Sequence, residues 1–305
     1  MDAAELDQLV AQIGEEILAR TGRIGALPSG GEGLNIPDLV CPGCTKRCPQ
    51  TCERKAKEIV KAGACRLSAS DTLTAIDPSI AGLIDHTLLR PDATRDDIVK
   101  VCREARKYGF ASVCINPYWV PLVAAQLAAS PVKVCTVIGF PLGATSTEAK
   151  VAETEAALRV GAQEIDMVQN IGALRSGDHD VVKADIAAVV EVSHRAGAII
   201  KVILETALLD DNQKVIACML AKMAKADFVK TSTGFGPSGA NTHDVELMRM
   251  AVGPEMGVKA SGGIRTLDDV KKMAAAGATR IGASASVKIV EATTGGVPQT
   301  AATGY

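Results

Sequence analysis

Aromatic side chains are scarce in this 305-residue chain: one Trp, three Tyr and four Phe make up 3% of it. A core with so few rings has to be filled by Ala, Val, Ile and Leu, which suits strands covered on both faces and closely packed helices. Excess charge is also missing. Lys and Arg number 33 against 35 Asp and Glu, a net charge of −2, and no basic run rivals those of phosphate-backbone binders. Nucleic acid is therefore not an expected partner. No apolar stretch reaches the roughly 18 residues of a membrane span, so no membrane association is expected. The N-terminus carries acids where a secretory leader has a basic and then an apolar segment, so a cytoplasmic protein is expected. No strand-like run is followed by Gly-x-Gly-x-x-Gly, which speaks against a doubly wound dinucleotide fold. The four histidines, His86, His179, His194 and His243, are scattered, without metal-site spacing.

Cysteine, by contrast, is plentiful. Nine are present, an odd number in a chain without secretory features, which favours reduced thiols, metal ligation or chemistry over a disulfide framework. Cys41, Cys44, Cys48 and Cys52 fall within twelve residues at spacings of two, three and three, with Cys65 beyond them. Such a run resembles iron–sulfur and zinc ligand sets without matching the common ferredoxin pattern; reversible disulfides, or no special role, are the alternatives. This Cys-rich segment covers 41–66. Before it, residues 1–22 hold a short amphipathic helix, with Leu6, Leu9, Val10, Ile13 and Ile17 at three- and four-residue spacing, and residues 23–40 form a Gly/Pro/Ser-rich tether. Residues 67–79 read as a second linker.

From residue 80 the pattern becomes regular. Short β-rich runs near 83–88, 112–115, 133–138, 164–168, 199–204, 227–230, 257–260 and 280–282 alternate with helical stretches over 94–108, 117–129, 146–160, 180–195, 210–225, 242–251 and 267–276. Several helices open on Asp, Ser or Thr, and four run into Gly109, Gly161, Gly197 and Gly277. Eight strands and seven intervening helices in about 210 residues predict a (β/α)8 TIM barrel, of class α/β, over 80–292, with a flexible tail over 293–305.

In such a barrel, chemistry belongs at the carboxyl ends of the strands. The run Phe228-Val229-Lys230-Thr231-Ser232-Thr233-Gly234 delivers a lysine and three hydroxyls into a glycine turn, and Lys259 ends the next strand in Val258-Lys259-Ala260-Ser261-Gly262-Gly263. An amine of pKa near 10.4 attacks a carbonyl only when desolvation or a neighbouring cation lowers that value. Paired lysines on adjacent strands are what a Schiff-base enzyme needs. Asp85, Asp166 and Lys201 also sit within strands, and an unpaired charge there would cost several kcal/mol. One hydrogen-bonded network with Lys230 and Lys259 is therefore expected, with an inert salt-bridge set as the alternative. Ser261-Gly262-Gly263 and Gly282-Ala283-Ser284, after the last two strands, suit a phosphate site.

Six segments, taken together and in order, resemble the deoxyribose-phosphate aldolase family: Asp85-His86-Thr87-Leu88-Leu89, Val113-Cys114-Ile115-Asn116-Pro117, Glu164-Ile165-Asp166-Met167-Val168, Lys201-Val202-Ile203-Leu204-Glu205-Thr206, Phe228 to Gly234, and Lys259 to Thr266. The resemblance implies a class I aldolase that needs no cofactor for catalysis and reversibly cleaves 2-deoxy-D-ribose 5-phosphate to acetaldehyde and D-glyceraldehyde 3-phosphate. It implies Lys230 as the Schiff-base lysine, Lys259 as the cation beside it, Asp166 as acid/base and Lys201 as its partner. Asp85, Thr87, Cys114, Thr233, Gly234, Gly262, Gly263 and Ser284 are implied substrate or phosphate contacts. A homodimer is the expected assembly. Another Schiff-base sugar-phosphate aldolase and a non-catalytic scaffold built on the Cys cluster are the competing readings.

Three departures from the family pattern bear on the site. Phe235 stands where some members carry Lys, and Ala285 where a second Ser or Gly is common; both weaken the expected phosphate grip. Tyr305 ends the chain, as does a proton-transferring tyrosine in some members. The N-terminal helix on its tether resembles the encapsulation peptides of bacterial microcompartments, which implies shell proteins as partners; packing on the barrel or on a second subunit is the alternative.

Overall fold

A computed structural model describes residues 78–294. The N-terminal helix, the tether, the thiols Cys41, Cys44, Cys48, Cys52 and Cys65, and Tyr305 lie outside the described residues.

A short helix α1 (Pro78–Ala81) leads into β1 (Ile84–Leu88). There follow α2 (Arg95–Tyr108), β2 (Ser112–Ile115), α3 (Val120–Leu127), β3 (Lys133–Ile138), α4 (Thr147–Arg159) and β4 (Glu164–Val168). The second half runs α5 (Ile171–Arg175), α6 (His179–Arg195), β5 (Ile199–Ile203), α7 (Asp211–Met223), β6 (Phe228–Lys230), α8 (Thr242–Val252), β7 (Gly257–Ser261), α9 (Leu267–Ala275), β8 (Arg280–Ala283) and α10 (Ser286–Glu291). The eight strands pair in chain order, all parallel, and β8 closes on β1. This is the expected TIM barrel.

The strands are buried on both faces, so they read as near-continuous apolar runs. Val113, Ile115, Val134, Ile165, Met167, Ile200 and Val202 are all almost wholly covered, each burial worth about 1.5–3 kcal/mol. Each long helix turns one stripe to the barrel. On α2 this is Ile98, Val101, Cys102, Ala105 and Tyr108, with Asp96 and Asp97 at the positive end of its dipole and Arg106 and Lys107 at the negative end. Thr94 and Asp97 close a capping box at its start, and Gly109, at φ 70°, ends it in a conformation that a Cβ would strain.

The structure departs from the sequence reading at a few boundaries. β6 begins one residue late because Asp227 turns its carboxylate to the Ile200 amide (2.8 Å) and to His194 (2.9 Å). The stretch expected as one helix over 117–129 opens as a 3-10 turn, Pro117–Trp119, before α3. Helices α5 and α10 were not expected, nor was the 3-10 turn Thr206–Leu208.

Candidate active site

Strand register brings the interior charges together before any side chain bends. Asp166 lies beside Lys201, Lys230 beside Lys259, and Lys259 beside Arg280. Because side chains alternate along a strand, all five point into the barrel. Asp166 is the hub. Its Oδ1 accepts from Lys201 Nζ at 2.7 Å, and its Oδ2 accepts from Lys230 Nζ at 2.8 Å and Lys259 Nζ at 2.7 Å. Two amines on one oxygen cannot lie farther apart than those two bonds allow, and they face one space. Below them, Lys201 reaches Glu164 at 2.8 Å, Lys259 reaches Asp85 at 2.5 Å, and Arg280 spans Asp85 (2.7 Å) and Glu164 (3.1 Å). The contacts to Asp85 Oδ2 and Glu164 Oε2 are ion pairs without hydrogen-bond geometry. Gly282 makes room for this packing: a Cβ there would sit 2.9 Å from the Ser261 side chain and 3.2 Å from Lys259 Cε.

The charges do not balance. Asp85, Glu164 and Asp166 face Lys201, Lys230, Lys259 and Arg280, three carboxylates against four cations, all nearly or wholly buried. Burial alone would raise the Asp166 pKa, but Lys201, Lys230 and Lys259 outweigh it and hold that carboxyl well below the usual range. Asp85 is likewise held down, against burial, by Arg280, Lys259 and Lys201. Lys201 and Lys259 are pushed up: burial opposes their charge, and the carboxylates around them more than restore it. Lys201 touches all three carboxylates of the cluster, Asp85 at 3.9 Å among them, and Lys259 and Arg280 touch two each, whereas Lys230 touches Asp166 alone. Lys230 is also the one of the four that lines the cavity above.

That cavity, of about 350 Å³, is walled by the ends of β1, β6, β7 and β8, with no wall residue from β2 to β5. Phe235, 53% exposed, sets its ring edge-on to Phe140 with centroids 5.4 Å apart, and Phe140 packs on Leu89, Cys114, Cys135 and Val137. Around the cavity stand Thr87, Thr233, Gly234, Gly262, Gly263 and Ser284. Among the described residues, the backbone N–H groups of Gly234, Gly262, Gly263 and Ser284 donate to no protein group, which leaves them free for an anion.

Two expected contact residues lie elsewhere. Asp85 is beneath Lys259, bonded to Ser112 (2.6 Å) and Arg280, and does not line the cavity. Cys114 is fully buried beside Cys135 on the next strand, behind Phe140. Cys114, Cys135 and Asp166 are close enough to share an ion. With three ammonium groups already on Asp166, however, a further cation at that place is repelled. Sequence reasoning missed Arg280 and Glu164, whose sign was the only clue, and Cys135, which donates to Asp166 at 3.3 Å and accepts from Lys201 at 3.4 Å.

A family model described as DeoC/LacD family aldolase matches residues 80–292. The chain belongs to the DeoC/LacD aldolase family. A deoxyribose-phosphate aldolase of Caldanaerobacter subterraneus subsp. tengcongensis is 59% identical to it over 214 residues, 70% of this chain and 93% of that protein. One of Bacillus cereus (strain AH187) is 59% identical over 212 residues, 70% and 95% of the two chains. Among solved structures, the deoxyribose phosphate aldolase from Aeropyrum pernix, described as uniquely tetrameric, is 36% identical over 78% of this chain and 97% of that one, with a TM-score of 0.67. As a DeoC/LacD aldolase the chain is a lyase, and the cluster around Asp166 lies wholly inside the matched segment.

Proposed function

We propose that this chain cleaves 2-deoxy-D-ribose 5-phosphate reversibly to acetaldehyde and D-glyceraldehyde 3-phosphate, through a Schiff base on Lys230. The observation that carries this reading is the uneven sharing of carboxylates. In a site with four cations to three carboxylates, Lys230 is the one cation with a single carboxylate partner, and it alone of the four meets the cavity.

The neutral Lys230 nitrogen adds to C1 of the open-chain sugar, and the carbinolamine loses water to give an iminium. The C3 hydroxyl then gives up its proton as the C2–C3 electron pair moves toward the iminium nitrogen. Glyceraldehyde 3-phosphate departs with a new C3 carbonyl, and an enamine stays on Lys230. Protonation of C2 and addition of water release acetaldehyde and restore the amine. On this reading Asp166 relays these protons, Lys201 and Lys259 keep it ionised between steps, and Lys259 holds a cation beside Lys230. The free N–H groups of Gly234, Gly262, Gly263 and Ser284 take the phosphate, with Phe235 and Ala285 contributing no charge.

Outside the barrel, the same reading makes residues 1–22 an encapsulation peptide that carries the enzyme to microcompartment shell proteins, where a shell retains volatile acetaldehyde. Cys41, Cys44, Cys48 and Cys52 hold an iron–sulfur cluster or zinc, and the enzyme works as a homodimer in the cytoplasm or such a compartment.

Incubation with acetaldehyde or deoxyribose phosphate followed by borohydride reduction tests the chemistry. The mass of the reduced adduct is expected on Lys230 and is expected to vanish in Lys230→Ala. An adduct on another lysine, or none in the wild-type protein, would overturn the assignment.

A further inference from the structure

The cluster leaves one strand-end acid unaccounted for. Glu205 follows β5, is 3% exposed, and takes no part in the Asp166 network. Its backbone stands at φ 55° and ψ 62°, in the left-handed region that a non-glycine residue enters at a cost of about 1–3 kcal/mol. Neighbouring backbone keeps it there: the Leu204 amide donates to Lys230 O at 2.9 Å and the Thr206 amide to Thr231 O at 3.0 Å. The twist aims the Glu205 carboxylate at the turn that follows Lys230. Its Oε2 accepts from the Thr233 amide at 3.3 Å and from the Thr233 hydroxyl in a short bond. Thr233 Oγ1 in turn accepts from the Phe235 amide at 3.0 Å. Gly236 completes the fit, since a Cβ on it would stand 2.9 Å from the carboxylate. One oxygen, Oε1, is buried with no hydrogen-bond partner among the described residues.

A strained residue with a half-satisfied buried carboxylate is costly to keep for packing alone. Its two bonds end on Thr233, next to Gly234, which lines the cavity and whose N–H donates to no protein group among the described residues. We infer that Glu205 is a positioning residue that fixes the Thr233–Gly236 turn, and so sets the Gly234 donor for the phosphate of the substrate, while remaining outside the contact surface itself. The inference rests on the phosphorylated deoxy sugar being the substrate. An acid suits the task because it is an acceptor only: it engages both Thr233 donors and leaves the Gly234 N–H unbonded.

The test compares kcat/KM for 2-deoxyribose 5-phosphate with that for unphosphorylated 2-deoxyribose in wild type, Glu205→Ala and Glu205→Gln. In Glu205→Ala the ratio is expected to fall about tenfold or more, through KM for the phosphorylated sugar. Glu205→Gln, whose carbonyl oxygen can still accept from Thr233, is expected to recover most of it. Thr233→Val carries the same test should Glu205→Ala not fold, and the double variant is expected to be no worse than the worse single one. A ratio unchanged in Glu205→Ala, equal losses on both sugars, or Gln behaving as Ala would overturn the inference. Borohydride trapping of acetaldehyde on the same samples separates the two claims. Absence of a Lys230 adduct in wild type sinks the aldolase reading, whereas a normal adduct with an unmoved ratio sinks only the role of Glu205.

Discussion

Asp166 carries three ammonium groups on two oxygens, and the pH behaviour of the protein follows from that arrangement. Asp166 and Asp85 have folded pKa values below their unfolded ones, so their contribution is complete above about pH 4 and fades as pH falls through the folded values. Lys201 and Lys259 have raised values, so theirs is complete below about pH 10 and is lost as pH rises through the folded values. Replacing Asp166 by Asn removes the hub and leaves buried ammonium groups facing one another, at a cost of about 3–5 kcal/mol near neutrality. The folded variant then binds fewer protons than the folded wild type does, so its stability relative to that of the wild type rises from pH 7 to 10. Urea midpoints of both proteins across that range check this, and a difference between them that does not change with pH would refute it. Asp85, Asp166, Lys201, Lys230 and Lys259 were legible because a charge inside a β-run has to be paired. That Asp85 underlies Lys259, and that Arg280 and Glu164 complete the set, depends on which strand lies beside which, and no single segment carries that information. Cys135 gave no signal because a thiol in an apolar run reads as a small hydrophobe.

Among the elements, helix ends were the most legible parts, since caps are local. Thr94 with Asp97, Asp210 with Gln213, and Thr266 with Asp269 each close a capping box. Thr94→Ala is expected to lower the unfolding free energy by about 1 kcal/mol and to leave turnover alone, because α2 packs on the outside of the barrel; calorimetry and a kinetic assay check both halves. The strands were found to within a residue or so from their β-rich composition. Helices α5 and α10 escaped because five or six residues are too few for a 3.6-residue period to show, and α10 has no side-chain cap. The 3-10 turn after β5 escaped for another reason. It depends on Glu205 adopting a left-handed backbone, which nothing in its own side chain favours.

At the level of the whole molecule, the family match begins at residue 80, so the preceding stretch is not required to build the barrel. Removing residues 1–22 is expected to leave kcat/KM on the sugar phosphate unchanged and to abolish co-localisation with shell proteins in cells. Retained co-localisation counts against the targeting role.

The ring pair of Phe140 and Phe235 stands at the rim of a cavity walled by β1, β6, β7 and β8, and with the Schiff base proposed on Lys230 the order of traffic follows. On that proposal the three-carbon fragment, held toward β7 and β8 by non-covalent contacts alone, would leave first. The two-carbon fragment, still bonded to Lys230, would follow it. In the synthetic direction the order would invert: the small aldehyde would load first, and a sugar phosphate fragment already seated toward β7 and β8 would obstruct it.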